Sequence, residues 1–408
     1  MANSTAQSEA ATRNNGKLPS GWSYCRFEEF AQNVAERVDP LDTDVKVYIG
    51  LEHLDCESLK IRRWGSPDDV IGQKLKFAVG DLIFGRRRAY QRKLGLAETD
   101  GICSAHAMVI RAKVDVIDSE FLPFFIQSDV FMERALSISV GSLSPTINWK
   151  TLRHQEFPLP SRDEQRRIAK ALWLSEDYTR KLEATCEAAR IARNTCHRHF
   201  LRNGTGHSDF QTTPLGKIPS SWKVESLGEC CEIANRLRKP INAATRAEMQ
   251  GPYPYHGPTG VLDHLNEYRV EGEYVLLGED GDHFLKYNDW NMTQFVSGRF
   301  NVNNHAHIIK GGDDVYTKWV FHYFKHRNIK PYLARQGAGR LKLKKATLEK
   351  IPLPVPPHDE QEIIIRLLDE CDAAHMDAVH QLETQRLLHS ALREALLTPD
   401  PERGAECV

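Results

Sequence analysis

Several things are missing from this chain, and each absence excludes something. No Cys-x-x-Cys pair occurs among its nine cysteines, and the odd total argues against a disulfide framework, so a reducing cytoplasm suits it best. No apolar run approaches the roughly 18 residues of a membrane span. The stretch "MANSTAQSEAATRNNGK" (1–17) has no apolar core of a secretory signal and reads as a disordered leader, and residues 398–408 read as a frayed tail. Neither sign of charge is in excess: 54 Lys and Arg stand against 55 Asp and Glu, a formal charge of −1. That excludes a histone-like polycation and confines any nucleic-acid contact to local clusters or to a partner.

Catalytic signatures are equally scarce. There is no phosphate loop, no Gly-x-Gly-x-x-Gly, no His-Glu-x-x-His and no Asn/Asp-Pro-Pro-Tyr/Phe of an amino-methyltransferase. "GEDGDH" (278–283) is the one dense acidic loop, and a turn explains it better than a metal site. The His-x-His pairs His197/His199 and His305/His307 lack Cys or carboxylate partners at ligand spacing, so ordinary histidines are expected. The chain is therefore expected to have no catalytic residues, no cofactor and no metal of its own.

What is present is a repeat. "KLPSGW" (17–22) returns as "KIPSSW" (217–222), and "VGDLIFG" (79–85) resembles "EGEYVLLG" (271–278). His106-Ala107 before "MVIR" matches His305-Ala306 before "HIIK", and "PLPSRDEQRRIAKAL" (158–172) matches "PLPVPPHDEQEIIIRLL" (352–368). The offsets are 200 (17 to 217), 192 (79 to 271), 199 (106 to 305) and 194 (158 to 352), always in the same order. Two ordered copies mean a duplication rather than a solenoid.

Each copy divides into a mixed α/β globe, residues 18–158 and 215–355, and a long helix, 159–202 and 356–397. Short β-branched and aromatic runs between turn residues mark the globes. The first helix opens at Ser161, whose spacing to Glu164 is that of a capping box, and it runs without Gly or Pro through Arg202. Ile168, Leu172, Leu182 and Phe200 on the first helix, with Ile364, Leu368, Leu382 and Leu388 on the second, recur as an apolar stripe. About forty residues give roughly 60 Å of helix, which is best buried against the other copy as an antiparallel coiled coil. The turn-rich linker 203–214 lets the chain reverse, so the fold class is α+β with a pseudo-twofold internal repeat. Helices that pack on their own globes are the alternative.

Two similar globes on a spacer suit a target with two sites at a fixed distance, and double-stranded DNA is the leading candidate. The first globe offers Arg86, Arg87, Arg88, Tyr90, Gln91, Arg92 and Lys93, a mix that grips phosphates and reads base edges. The second offers Arg236, Arg238 and Lys239, then Arg335, Arg340, Lys342, Lys344 and Lys345, the last group with glycines that admit a phosphate.

The tandem "PLP…DEQ…I" blocks, with "YPYHGPTGV" (253–261), "YVLLGEDG" (274–281), "VYIGLEHL" (47–54) and "VGSLSPTIN" (140–148), resemble the specificity subunits of type I restriction–modification systems over residues 18–397. The resemblance implies a non-catalytic DNA-recognition subunit whose globes each read one half of a split target. Its helices would set the spacing and dock two methyltransferase subunits, to which restriction–translocase subunits can be added. S-adenosylmethionine, and ATP with Mg2+, would then belong to those partners, and methylation by base flipping to the methyltransferase. Because "PYHGPTG" occurs only in the second globe, a non-palindromic target is expected. The likeness of the two Asp-Glu-Gln helix starts is expected to come from their meeting identical partners. A coiled-coil scaffold joining two protein-binding globes, and a self-contained modification enzyme or nuclease, are the competing readings.

Overall fold

The structure, a computed structural model, describes residues 18–56, 58–288, 290–336 and 340–400. The chain divides into two compact units. The first comprises residues up to Glu183 together with those from Gln381 onward, and the second is Ala184–His380. Each unit holds one globe and one end of each long helix.

In the first globe a four-stranded antiparallel sheet runs in the order Ala31–Val34, Met108–Ala112, Leu82–Phe84, Leu94–Leu96. The second globe repeats it as Cys231–Ile233, Ala306–Gly311, Tyr274–Gly278, Thr293–Val296. The matched "VGDLIFG" and "EGEYVLLG" segments supply the same interior strand in both. Buried on both faces, these strands read as near-continuous apolar runs rather than alternating ones.

The repeated motifs meet one another. The strand after "KLPSGW", Ser23–Arg26, pairs antiparallel with the Pro-Leu-Pro strand Glu156–Leu159. The strand after "KIPSSW", Lys223–Ser226, pairs with Pro352–Val355. Each is a two-stranded ribbon, where proline is tolerated because no further strand asks for its missing donor. Aromatic packing fills the first core: Phe27 lies edge-on to Phe30 with centroids 5.1 Å apart, and Phe131 stacks on Phe157 at 5.3 Å.

Three helices position everything below: α1 (Arg162–Asn203), α2 (Thr317–Lys325) and α3 (His358–Leu397). Ser161 caps α1 by accepting from the Glu164 amide at 3.4 Å. The Glu164 carboxylate pairs with Arg167 at 2.6 Å. Exposed i,i+3 and i,i+4 pairs such as Asp177–Lys181 at 2.7 Å and Glu187–Arg190 at 2.6 Å support a helix too long for its own core.

The apolar stripe does two different jobs. Ile168 and Leu172 sink into the core of the first globe, which Leu396 and Leu397 from the far end of α3 also join. Ile364 and Leu368 do the same in the second, with Cys196, Phe200 and Leu201 of α1. The expectation that these residues face only the partner helix is therefore corrected: each helix start is anchored in its own globe. Leu182 and Leu382 are buried midway, whereas Leu388 is 60% exposed and does not contribute to the helix seam, because it falls on the solvent side of α3.

Much of the seam is polar. In the first unit Gln385 Nε2 donates to Ser175 Oγ at 3.1 Å, His389 Nδ1 lies 3.0 Å from the same oxygen, and Arg386 pairs with Glu183 at 2.8 Å. In the second, Arg193 reaches His375 at 3.4 Å and His197 faces Asp372 at 3.3 Å. In both units rising numbers on α1 meet falling numbers on α3, so the contacts are antiparallel. Among the described residues no helix is long and apolar enough to cross a membrane.

Candidate nucleic-acid interface

The glutamine of each Asp-Glu-Gln joins helix to globe. Gln165 donates to the Pro160 carbonyl at 2.9 Å and accepts from the Asp118 amide at 2.8 Å. Gln361 donates to the carbonyls of Pro356 and Asp314, both at 2.8 Å, and accepts from the Tyr316 amide at 3.0 Å. Both side chains are buried. The two copies look alike because each must satisfy the same backbone groups where a helix leaves a globe. For the glutamine that reason is internal to the chain, alongside the identical partners that the resemblance implies.

Glu360 adds a second tie in the second unit. Its carboxylate accepts from Trp222 Nε1 at 2.8 Å, His207 Nε2 at 2.7 Å and the Thr205 amide at 2.9 Å. Burial pushes its pKa up, but these donors outweigh burial and hold it below the usual range.

In the first globe the basic segment splits in two. A single turn, Ala89–Gln91, is flanked by Arg88 and Arg92, both in the left-handed region at φ 55° and 49°. The Arg88 amide bonds the Pro145 carbonyl at 2.9 Å, and Arg87 bridges to Thr146. The "VGSLSPTIN" segment thus lies alongside. Arg87, Arg88 and Tyr90 are exposed, and Gln91 is partly so. Arg86 donates Nη2 to the Ala105 carbonyl at 3.1 Å, Arg92 pairs with Asp129, and Lys93 donates to the Leu51 carbonyl at 2.6 Å. These three hold the loop, and Arg92 alone of them is paired with a carboxylate. Sequence reasoning treated all five cations alike because nothing local reveals the distant acceptors.

In the second globe the corresponding loop is "GEDGDH", and it consumes cations. Arg238 and Lys342 (3.0 Å) both pair with Glu279. Arg340 and His305 pair with Asp280 at 2.7 and 2.9 Å. Burial raises the Glu279 pKa, and the Arg238 and Lys342 hydrogen bonds more than reverse that. Lys239 pairs with Glu267 at 2.8 Å, Arg236 with Glu232 at 2.7 Å and Lys345 with Glu349 at 3.4 Å. Lys344 and Arg335 are exposed. The glycines 337 and 339 singled out for phosphate approach lie outside the described residues. His307 is buried between Asn235 and the Leu343 carbonyl, so it does not join His305 as a ligand pair.

The outer strands distinguish the globes. Both contain a mixed three-stranded core: Lys74–Phe77, Gly101–Cys103 and Tyr48–Ile49 in the first, Val270–Glu271, Arg299–Val302 and Gln250–His256 in the second. The first adds Arg37–Val38 beyond Lys74–Phe77. The second adds Val261–Leu265 beyond Gln250–His256, a hairpin turned by the "HGPTG" unique to this globe. It exposes Val261 and Leu262, and Tyr268 beside it packs against Tyr253 with centroids 5.1 Å apart. Tyr253 and Val261 bound the "YPYHGPTGV" stretch that carries the resemblance, whereas Leu262 and Tyr268 carry no signal of their own in the sequence.

The fold and these loops define a class: duplicated α/β globes anchored on two long helices, with their variation concentrated in loops and outer strands. A family model for the type I restriction modification DNA specificity domain matches residues 70–188 and 219–385. The chain belongs to that family.

Its relatives include a putative type I restriction enzyme specificity subunit of Haemophilus influenzae, 36% identical over 163 residues, 40% of each chain. The EcoDI specificity subunit of Escherichia coli is 25% identical over 211 residues, 51% of this chain and 45% of that one. The matches thus span less than half the length of these two relatives. The putative MjaX specificity subunit of Methanocaldococcus jannaschii is 22% identical over 387 residues, 88% of both chains. Among solved structures, the type I restriction–modification S subunit of M. genitalium aligns with a TM-score of 0.59 at 13% identity, over 95% of this chain and 98% of that one. A chain from a type I R-M system structure, covering 94% of this chain and 100% of that one, also gives 0.59, at 19% identity. Both show a shared fold.

Proposed function

We propose that this chain is the DNA-recognition subunit of a type I restriction–modification complex, active in the cytoplasm and itself without catalytic function. Each globe, 18–158 and 215–355, reads one half of a bipartite, non-palindromic target. The helices α1 and α3 form an antiparallel coiled coil that sets the spacing and docks two methyltransferase subunits, with restriction–translocase subunits joining them. S-adenosylmethionine, and ATP with Mg2+, act on those partners. The observation that carries this reading is the family match falling separately on both halves, each built on the same interior sheet.

The bases themselves would be met by what differs between the globes. Those parts are the Arg87–Gln91 turn with its neighbour 140–148, and the Gln250–Leu265 hairpin with Lys344 and Arg335. The test is reconstitution with the cognate methyltransferase, followed by mapping of methylated adenines in the host genome with and without this chain. Site-specific methylation that requires both proteins supports the proposal. Methylation by the chain alone would reassign it as an enzyme. A stable complex indifferent to DNA would leave the scaffold reading.

A further inference from the structure

Sequence reasoning set His197 beside His199, but α1 turns the two apart. His199 faces Phe200 and Asn203, while His197 is buried at 5% exposure with His322 of α2 and Asp372 of α3. All of these lie in the second unit. One ligand atom each from His197, His322 and Asp372 falls within 4.8 Å of the others. His197 Nε2 is 3.3 Å from Asp372 Oδ1, and His322 Nδ1 is 3.8 Å from Asp372 Oδ2.

Two buried ring nitrogens here, His197 Nδ1 and His322 Nδ1, have no hydrogen-bond partner, and His197 Nε2 and Asp372 Oδ1 meet only each other, at 3.3 Å and outside good hydrogen-bond geometry. An unsatisfied buried polar atom costs about 1–3 kcal/mol, so such convergence calls for a cause. Surrounding contacts orient the lone pairs. His322 Nε2 lies 3.0 Å from Asp369 Oδ1, and a carboxylate only accepts, so Nε2 carries the proton and Nδ1 is left bare toward Asp372. His326 Nδ1 donates to the Tyr287 carbonyl at 3.0 Å, leaving its Nε2 bare and unpartnered nearby. A carboxylate or carbonyl behind a histidine is how metal-binding proteins fix the tautomer of a ligand.

We propose that His197, His322 and Asp372 bind one divalent transition-metal ion of the zinc class. His197 and His322, with His326, also line an open groove of about 720 Å³. Ligand atoms about 2.0–2.1 Å from a tetrahedral zinc stand roughly 3.4 Å from one another; the two Asp372 contacts are at 3.3 and 3.8 Å, and the His197–His322 separation, within 4.8 Å, would narrow on binding. The ion ties α1, α2 and α3 together where the second globe meets the helices, and its binding energy is folding energy for that junction. This inference does not depend on what the globes read.

Lys325 supplies an independent handle. Its buried ammonium sits 2.6 Å from Asp372 Oδ2, the oxygen turned away from His197, and it opposes any incoming cation. The experiment uses the full-length chain without a polyhistidine tag, stripped with a chelator and titrated with Zn2+ by calorimetry. Co2+ serves as the spectroscopic probe of a four-coordinate site. One equivalent of each metal is expected, with a rise in melting temperature, and His197→Gln is expected to weaken binding at least about 100-fold. Asp369→Asn, which frees the His322 tautomer, should weaken it by about 10–100-fold. Lys325→Met should do the opposite and tighten binding, an outcome that damage to the fold does not produce. The absence of stoichiometric uptake by the unaltered chain overturns the proposal. So do uptake unchanged by His197→Gln and binding weakened by Lys325→Met.

Discussion

In the first globe the loop after Leu82–Phe84 is basic and lies against the neutral segment 140–148. In the second, the loop after Tyr274–Gly278 is acidic and lies against the basic strand Arg340–Lys342. The same interior strand thus ends in opposite charge, and the neighbouring segment compensates only in the second case. There the cations Arg238, Arg340 and Lys342 are consumed inside the globe, whereas Arg87 and Arg88 stay exposed in the first. A shared sheet therefore does not imply a shared surface. The duplication preserved what the core and helix starts require and left the loops free to diverge.

The largest effect should come from breaking this pairing of unlike globes. Replacing residues 215–355 by the equivalent region of another specificity subunit should change one half-site completely and leave the other intact. Each globe has its own core, and the exchanged ends fall at the turn of the hairpin in which Phe210–Thr213 pairs with Gly216–Pro219, where a turn-rich linker was expected, and at the Pro-Leu-Pro strand. Methylome sequencing of the exchanged complex checks it. Change in both half-sites would mean that the globes are not independent readers.

A second prediction sharpens the comparison at the helix starts. Gln361 makes three hydrogen bonds to its globe and its own helix start, and Gln165 makes two. Gln361→Ala should therefore cost about 3 kcal/mol and Gln165→Ala about 2, since each strands buried backbone groups. Denaturant unfolding gives the magnitudes. Hydrogen exchange should localise the loss at the Tyr316 amide in the first variant and at the Asp118 amide in the second. Equal and negligible costs would mean that the recurring glutamine answers to partners instead.

Which features were legible in the sequence follows from these contacts. Both long helices, the duplication and the matched interior strands could be read, because periodicity, capping and order are local or self-referential signals. The meeting of "KLPSGW" with "PLP" could not be read, since strand pairing across 130 residues leaves no trace in one sequence. The contacts of the basic clusters could not be read for a related reason. Arg86 and Lys93 end on backbone carbonyls at Ala105 and Leu51, and a carbonyl is available from any residue type. The surroundings of His197 could not be read because its companions lie on helices more than a hundred residues away.

The helix seam in the first unit gives a pH-dependent prediction. His389 is buried beside Ser175, with Glu176 Oε2 at 3.7 Å and Arg393 close by. Burial first, then the Arg393 charge, lowers its pKa from 6.5 to about 4. The unfolded chain takes up this proton near pH 6.5 and the folded one only near 4. Its contribution to stability is therefore intact above about pH 6.5 and is lost as pH falls toward 4. At pH 5 the loss is about 2 kcal/mol. Glu176, whose pKa burial raises, acts in the opposite sense, so the measurement is a difference. Urea unfolding at pH 7 and pH 5 should show the unaltered chain losing about 2 kcal/mol more than His389→Gln does. Identical pH dependence in the two proteins would show that this histidine is already solvated.

The smallest effect tests the charge comparison directly. Arg87 and Arg88 project from a turn held by the Pro145 carbonyl and the buried Ala89, and although Arg88 Nε reaches Ser144 Oγ at 3.5 Å both side chains stay exposed to phosphates. If both do, Arg87→Ala with Arg88→Ala should lower the slope of log K against log salt by about 1.8, at roughly 0.9 per phosphate contact. Between 50 and 200 mM salt that removes roughly a tenfold share of the affinity loss. Arg86→Ala should leave the slope alone and lower stability instead, since its Nη2 serves the Ala105 carbonyl. Lys342→Met in the second globe should also leave the slope alone, because Glu279 already neutralises that ammonium. The measurement is DNA binding by the assembled complex across a salt series for these three variants. A slope that falls with Lys342→Met but not with the Arg87/Arg88 pair would invert the comparison and make the acidic-loop globe the phosphate-gripping one.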